Sequence, residues 1–290
     1  MANVRETANL DALAGLLRQR KFVALVGAGC STESGIPDYR GPGSRRTPVS
    51  PIMYQQFVRD HEARTRYWSR SAVGWRRVAD ARPNPAHHAL ARFEAQGWMA
   101  GVITQNVDGL HGRAGSCRVV ELHGSLADVV CLGCGSRMSR EAMQDRLLAL
   151  NPNWRAYVSR LPDGGAAATP DGDAAVPDEI SAGFRVPDCE ECGGVLKPDV
   201  VFFGENVPAA TVEAAWEMFE EAEAVLVVGS SLTVYSGRRF VDRARREGRP
   251  VGIVNLGPTR SDEHAAVRVE GRVGEVLPRL AARLAATPQP

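Results

Sequence analysis

The stretch that most constrains this chain is Phe22-Val23-Ala24-Leu25-Val26-Gly27-Ala28-Gly29-Cys30-Ser31-Thr32-Glu33-Ser34-Gly35-Ile36-Pro37-Asp38-Tyr39-Arg40. The apolar run Phe22 to Val26 reads as a buried strand. It stops at Gly27-Ala28-Gly29, where two glycines permit a sharp turn and let a phosphate approach the main chain. Ser31 and Thr32 then offer cap-type hydroxyls for a helix start, whose free N–H groups and dipole attract an anion. Strand, glycine turn and helix start predict a dinucleotide diphosphate site. Thr32 stands where the usual fingerprint has a third glycine, so an ordinary tight turn is the competing reading. Pro37 biases Ile36 toward extended geometry. Asp38, Tyr39 and Arg40 are therefore expected on a loop beyond the phosphate site, placed to fold over a bound cofactor.

The same alternation of buried run and helical pattern recurs down the chain. Leu10, Leu13, Leu16 and Leu17 give Leu10–Arg20 a helical spacing, and Gln55–Val78, His87–Gln96, Thr211–Ala222, Gly237–Glu247 and Val273–Ala285 read as helices. Met99–Thr104, Ala224–Val228 and Pro250–Asn255 read as strands. This order predicts an α/β fold with a Rossmann-like, doubly wound parallel sheet. Strands ending at Gly27, at Gly229-Ser230-Ser231 and at Asn255 are expected to line one crevice, because ligands sit at the carboxyl ends of strands in such sheets.

Three further motifs carry chemistry. Thr104-Gln105-Asn106-Val107-Asp108-Gly109-Leu110-His111 follows a buried strand, and its amides and acid suit ribose hydroxyls and a carboxamide; a self-capping polar turn is the alternative. His123, in Glu121-Leu122-His123-Gly124, is of a type that takes a proton near neutral pH, although a lone histidine also serves structure. Cys131-x-x-Cys134 and Cys189-x-x-Cys192, each beside glycines, suit one tetrahedral ion of structural kind, with redox pairs as the competing reading. The 54 residues between the pairs exceed a compact zinc ribbon and include Pro162–Pro177, rich in Ala, Gly, Asp and Pro, which reads as a long loop. Cys30 reads as a small apolar filler. Pro198–Glu205 is extended and apolar, suited either to a core strand or to accepting a peptide as an added strand.

A net charge of +1 points to neither a nucleic-acid nor a membrane surface as partner. No apolar run is long enough to span a bilayer, and Met1–Asn9 lacks a signal-peptide core, so a cytoplasmic protein is expected. A monomer is the expected state, although no residue pattern in the sequence decides it. The expected organisation is a nucleotide-binding domain from 1–48, 83–125 and 199–290, a helical insert at 49–82, and a zinc-binding module at 126–198 with its loop near 151–187.

Taken in order, GAGCSTESGIPDYR from Gly27, TQNVDGLH from Thr104, ELHG from Glu121, the two C-x-x-C pairs, KPDVVFFGE from Lys197, GSSL from Gly229 and Val254-Asn255 make the chain resemble a sirtuin. Pro83-Asn84-Pro85-Ala86-His87, Leu150-Asn151-Pro152-Asn153-Trp154, Val234-Tyr235-Ser236-Gly237 and the segment from Asn255 to Asp262 are similar to class II members, and within that branch look most like the mitochondrial lipoamidase type. The resemblance implies an NAD-dependent protein-lysine deacylase that releases nicotinamide and O-acyl-ADP-ribose from NAD and acyl-lysine substrates. It implies NAD contacts at Gly27, Ala28, Gly29, Ser31, Asp38, Tyr39 and Arg40. Gln105, Asn106 and Asp108 would hold the nicotinamide and its ribose. Gly229, Ser230, Ser231, Asn255, Leu256, Gly257 and Val273 would meet the remainder of the nucleotide. It further implies His123 as the base, Val200, Phe202 and Gly204 beside the substrate, and one structural zinc on Cys131, Cys134, Cys189 and Cys192. Tyr67 and Arg70, in Tyr67-Trp68-Ser69-Arg70, match a Tyr-x-x-Arg pair that grips acidic acyl chains in desuccinylase-type members. The chain departs from the family at Tyr39, where Phe is common, and at Cys30, usually aliphatic. The residues alone leave open a zinc-containing NAD-dependent dehydrogenase or a non-catalytic NAD- or ADP-ribose-binding module.

Overall fold

In the computed structural model, Phe22–Val26 (β1) becomes the centre of a six-stranded sheet ordered β3-β2-β1-β7-β8-β9. The structure describes residues 2–39, 51–158, 172–174, 176, 181 and 183–286, with the backbone alone at 2–5 and 155. The other strands are β2 (Met99–Thr104), β3 (Val119–Glu121), β7 (Ala224–Val228), β8 (Val251–Asn255) and β9 (Val267–Glu270). Every pairing in this sheet is parallel. All residues of β1, β2, β7 and β8 are buried, as expected of strands covered on both faces. From β1 the chain first builds outward through β2 and β3, then returns to the other flank of β1 for β7, β8 and β9. The sheet order therefore reverses between β1 and β7, and their tips flank the crevice where such sheets bind ligands.

Helices cover both faces. One face packs Leu10, Leu13 and Leu17 of α1 (Ala2–Arg18), Leu90 and Phe93 of α4 (Pro85–Ala95), and Leu277 and Leu280 of α10 (Val273–Ala285). The other packs Phe219 of α8 (Ala209–Glu220) and Phe240 and Val241 of α9 (Tyr235–Arg246).

A second, three-stranded antiparallel sheet, β5-β4-β6, carries the cysteines. It comprises β4 (Gly124–Cys131), β5 (Arg137–Ser139) and β6 (Leu196–Val200). Its core is shared with α2 (Tyr54–Arg59), α3 (His61–Asp80), α6 (Arg140–Leu150) and α7 (Pro152–Val158). Arg140 is wholly buried there, its guanidinium bonded to Ser71 and Gln144 and lying over the Trp68 and Trp75 rings at 5.4 and 5.0 Å. Burial pushes it down to about 10.

Three expectations need correction. The helix expected over Gln55–Val78 breaks at Asp60, which is extended (φ −113°, ψ 118°) and whose carboxylate caps α3 by accepting from the Glu62 N–H at 2.8 Å. No α-helix starts after the glycine turn: two 3₁₀ turns, Ala28–Cys30 and Thr32–Ser34, stand there, without side-chain caps. The Thr32 hydroxyl instead donates to the Gly29 carbonyl at 3.1 Å. The region near 151–187 opens with helix α7 rather than loop. Most of Pro162–Pro177 lies outside the described residues, as does Arg40.

Candidate active site

The tips of β1 and β7 touch. The Gly29 N–H donates to the Gly229 carbonyl at 2.8 Å, and a Cβ at Gly29 would stand 2.8 Å from that same oxygen. A side chain there would force the two strand ends apart, so glycine is required for the close approach. Beside this contact opens a cavity of about 1150 Å³, running from the Gly27–Gly29 turn past the end of β8 to the start of β6's continuation.

The predicted nucleotide residues converge on it. Gly27, Ala28, Gly29, Ser31, Asp38 and Tyr39 border it from the first loop. Gln105, Asn106 and Asp108 border it from the end of β2. Gly229, Ser230, Ser231, Asn255, Leu256, Gly257 and Val273 complete its wall. Many of these side chains hold one another. Ser31 donates to Asp108 Oδ2 at 2.6 Å, and Asn106 Nδ2 reaches the Gly27 carbonyl and Ser31 Oγ, both at 3.1 Å. Burial raises the Asp108 carboxyl above the usual range, opposed by the Ser31 hydroxyl and the Leu110 N–H. Asn255 holds its own turn through the Gly257 carbonyl at 2.8 Å, while Leu256 stays 44% exposed at the mouth.

Sequence reasoning missed several wall residues. Arg260 and Arg272 bring positive charge to the cavity wall, beside Gly257 and Val273. Glu33 accepts from the Gly274 N–H at 2.7 Å, which caps α10 from a loop far away in sequence. Ser236 also lines the cavity, and although its motif was legible its role was not.

His123 sits just before β4 and borders the same cavity. Its Nδ1 is 2.9 Å from the Gln105 carbonyl and its Nε2 is 2.8 Å from Ser236 Oγ. A carbonyl only accepts, so Nδ1 carries the proton and Nε2 presents a lone pair. Burial lowers its pKa, opposed by the Gln105 bond, and the Arg239 charge lowers it further. The ring is therefore a neutral base at pH 7. Nearby Glu121 is pushed up to about 7 by burial, with Asp108, Asp128 and Asp199 contributing.

On the far side, Val200, Phe202 and Gly204 border the cavity beside Tyr67. Phe202 and Tyr67 wall it, backed by the fully buried Phe57, whose ring packs edge-on against both; the three centroids stand 4.9 to 5.4 Å apart. Lys197 anchors this segment, donating to the Val200 carbonyl at 2.6 Å and pairing with Glu205 at 3.1 Å. Arg70 does not border the cavity; its guanidinium faces Asp173 at 3.8 Å, and it is Asp173 that reaches the wall.

The four paired cysteines meet at the far end of β4. Their Sγ atoms all lie within 4.8 Å of one another, with Cys131–Cys192 at 3.5 Å and Cys134–Cys189 at 3.8 Å. Thiolates at the corners of a tetrahedral zinc site stand about 3.8 Å apart, given Zn–S bonds of about 2.3 Å. The spacing fits such an ion and exceeds a disulfide's S–S bond.

Cys30 is buried, as expected of a filler, but it closes a second cluster with His87 and His111, also buried. The Asn84 N–H donates to His87 Nδ1 at 3.3 Å, so His87 Nε2 carries the proton and points at Cys30 Sγ, 4.0 Å away. That tautomer leaves no lone pair for an ion. Burial lowers His87 to about 4, helped by His88, and His111 to about 3, helped by His87. Below pH 6.5 the unfolded chain binds protons that the folded chain refuses, so this stability is present above 6.5 and lost as pH falls toward these values. Each histidine costs about 1.4 kcal/mol per pH unit in that window. His111, whose ring nitrogens lack hydrogen-bond partners among the described residues, is the one to replace. Urea midpoints measured from pH 7 to 5 should fall more steeply for the wild type than for His111→Phe; parallel slopes would contradict the burial argument.

Fold and crevice together define a nucleotide-binding α/β protein with a four-thiol module. A Sir2 family model matches residues 27–236. The Mycobacterium avium (strain 104) protein named NAD-dependent protein deacetylase 1 is 50% identical over 276 residues, 95% of this chain and 96% of that relative. The Bos taurus protein named NAD-dependent protein lipoamidase sirtuin-4, mitochondrial, is 46% identical over 262 residues, 89% and 81% of the two chains. A solved structure described as "Sir2-p53 peptide-NAD+" superposes with a TM-score of 0.74 at 31% identity, covering 95% of this chain and 98% of its own. The chain belongs to the Sir2 family. Among the described residues no helix is long and apolar enough to cross a membrane.

Proposed function

We infer that this chain is an enzyme that removes acyl groups from protein lysine side chains at the expense of NAD. The carrying observation is one cavity that joins the β1–β7 crevice to an aromatic-walled pocket, with a neutral imidazole between them. Relatives named as NAD-dependent deacetylases and a lipoamidase support the same chemistry.

When bound, NAD supplies a sugar carbon that exchanges nicotinamide for the acyl oxygen, so that the acyl group leaves lysine for ADP-ribose. The chain's residues do the rest. Gln105, Asn106 and Asp108 hold the nicotinamide end, and the hydrogen bonds among Ser31, Asn106 and Asp108 set their geometry before the nucleotide arrives. Gly27, Ala28, Gly29, Ser31, Asp38, Tyr39 and Arg40, with Gly229, Ser230, Ser231, Asn255, Leu256, Gly257 and Val273, hold the remainder. His123 takes a proton from a ribose hydroxyl at Nε2, its tautomer fixed by the Gln105 carbonyl. Phe202 and Tyr67, held by Phe57 behind them, keep water from the reacting carbon. Val200, Phe202 and Gly204 receive the substrate, and the residues that follow β6, Val201 to Gly204, which line the cavity, are the ones placed to accept an extended peptide as an added strand. Tyr67 walls the acyl chain. Arg70 stands behind Asp173, so a carboxylated acyl group must compete with that aspartate for its charge.

The reading extends to zinc as the ion held by Cys131, Cys134, Cys189 and Cys192, and to a cytoplasmic monomer whose thiols stay reduced. Incubation with NAD and acetyl-, succinyl-, glutaryl- and lipoyl-lysine peptides should release one nicotinamide per lysine freed. Absence of release across this panel would sink the assignment, and NADH absorbance with an alcohol would favour a dehydrogenase instead.

A further inference from the structure

We propose that Ser236 relays the proton between the ribose hydroxyl of the bound nucleotide and His123, an inference that rests on the reading of His123 as the base. Ser236 Oγ lies 2.8 Å from His123 Nε2. Because the Gln105 carbonyl occupies Nδ1–H, Nε2 is the acceptor and Ser236 is the donor. The lone pair that must receive the sugar's proton is therefore already engaged by a hydroxyl that itself faces the cavity.

A sugar hydroxyl has two routes to that lone pair. It displaces Ser236, which loses a hydrogen bond, or it donates to Ser236 Oγ, whose own acceptor capacity is open while its proton sits on Nε2. The second route sacrifices no hydrogen bond. In it the ribose O–H proton passes to Ser236 Oγ and the Ser236 proton passes to His123 Nε2. The electron pair so freed on the ribose oxygen would bond the acyl carbon while that carbon's π pair moves onto the lysine nitrogen. Ser236 ends as it began, and the imidazolium holds one proton.

The local fold builds this contact. A Cβ at Gly237 would stand 2.6 Å from Gln105 Cδ, so glycine lets the first turn of α9 press directly on Gln105. The Gln105 side chain is itself tied to Ser230 Oγ at 3.0 Å, and its carbonyl holds the imidazole. Ring and hydroxyl are thus both positioned from Gln105.

The test has one arm without nucleotide and one with it. In the NAD-free protein, Ser236→Ala should move the ¹⁵N resonance of His123 Nε2 toward that of an acceptor without a donor, leaving Nδ1 unchanged. In the loaded enzyme, kcat should fall about 10- to 100-fold, part of what general acid–base catalysis supplies. Ser236→Thr should restore most of the loss, and calorimetric NAD binding reports that each variant is folded. Rates in mixed H₂O and D₂O should curve with deuterium fraction for the wild type, as for two moving protons, and run straight for Ser236→Ala. A straight wild-type plot, an unmoved Nε2 resonance, or a Ser236→Ala enzyme as fast as or faster than wild type would overturn the relay. The His123→Ala enzyme separates the two readings. If it keeps turnover, the base itself is misassigned; if it is dead while Ser236→Ala is fully active, only the relay fails.

Discussion

Replacing His123 with alanine is expected to cut turnover by about 10²- to 10⁴-fold, the share usually owed to a positioned general base. NAD should still bind, because the crevice is built by other residues: the Ser31, Asn106 and Asp108 hydrogen bonds and the Gly29–Gly229 contact do not pass through the imidazole. Kinetics and calorimetry on the same preparation check this, and a variant with wild-type turnover would remove His123 from the mechanism. The pH profile follows from the same geometry. Burial and Arg239 favour the neutral ring, so the acid limb for the wild type should lie below pH 6.5. An acid limb above that value would mean that the imidazole is not the titrating group.

The second large effect concerns the four thiols. If the four thiols hold the proposed zinc, stripping it, or Cys131→Ser, should unfold the β4–β6 sheet, because structural zinc contributes about 10–16 kcal/mol in small metal-dependent domains at pH 7. The expected readout is a lowered melting temperature together with hydrogen exchange accelerated in β4, β5 and β6, while β1 and β7 stay protected. An ion held there would have no direct part in the chemistry: β4 separates Cys131 from Gly124 by roughly 23 Å at the rise of an extended strand. A chelated protein that melts unchanged would contradict the structural assignment.

Much of this was legible because the signals are local. Continuous apolar runs specify β1, β2, β7 and β8, and the polar or glycine residues that end them mark the crevice. The C-x-x-C spacing by itself brings two thiols to one ion. What escaped either carries a weak local signal or depends on contacts across the chain. Asp60 breaks a helix whose flanks both have helical spacing, so only its cap reveals the break. The edge strands β3 and β9 are short and half-exposed, without the apolar run of a central strand. Arg70 meets Asp173 across 103 positions, and Glu33 caps α10 across 241, distances at which periodicity carries no information. Ser236 belonged to a recognised motif, yet only coordinates show which atom its hydroxyl touches.

His123 lies one peptide bond from the strand whose other end the thiols secure. The nucleotide crevice belongs to a different sheet. Heating or slow ion loss should therefore disarm the molecule before it lets go of its dinucleotide, leaving a population that is occupied but inert. Such a population would pass for intact enzyme in any ligand-retention assay.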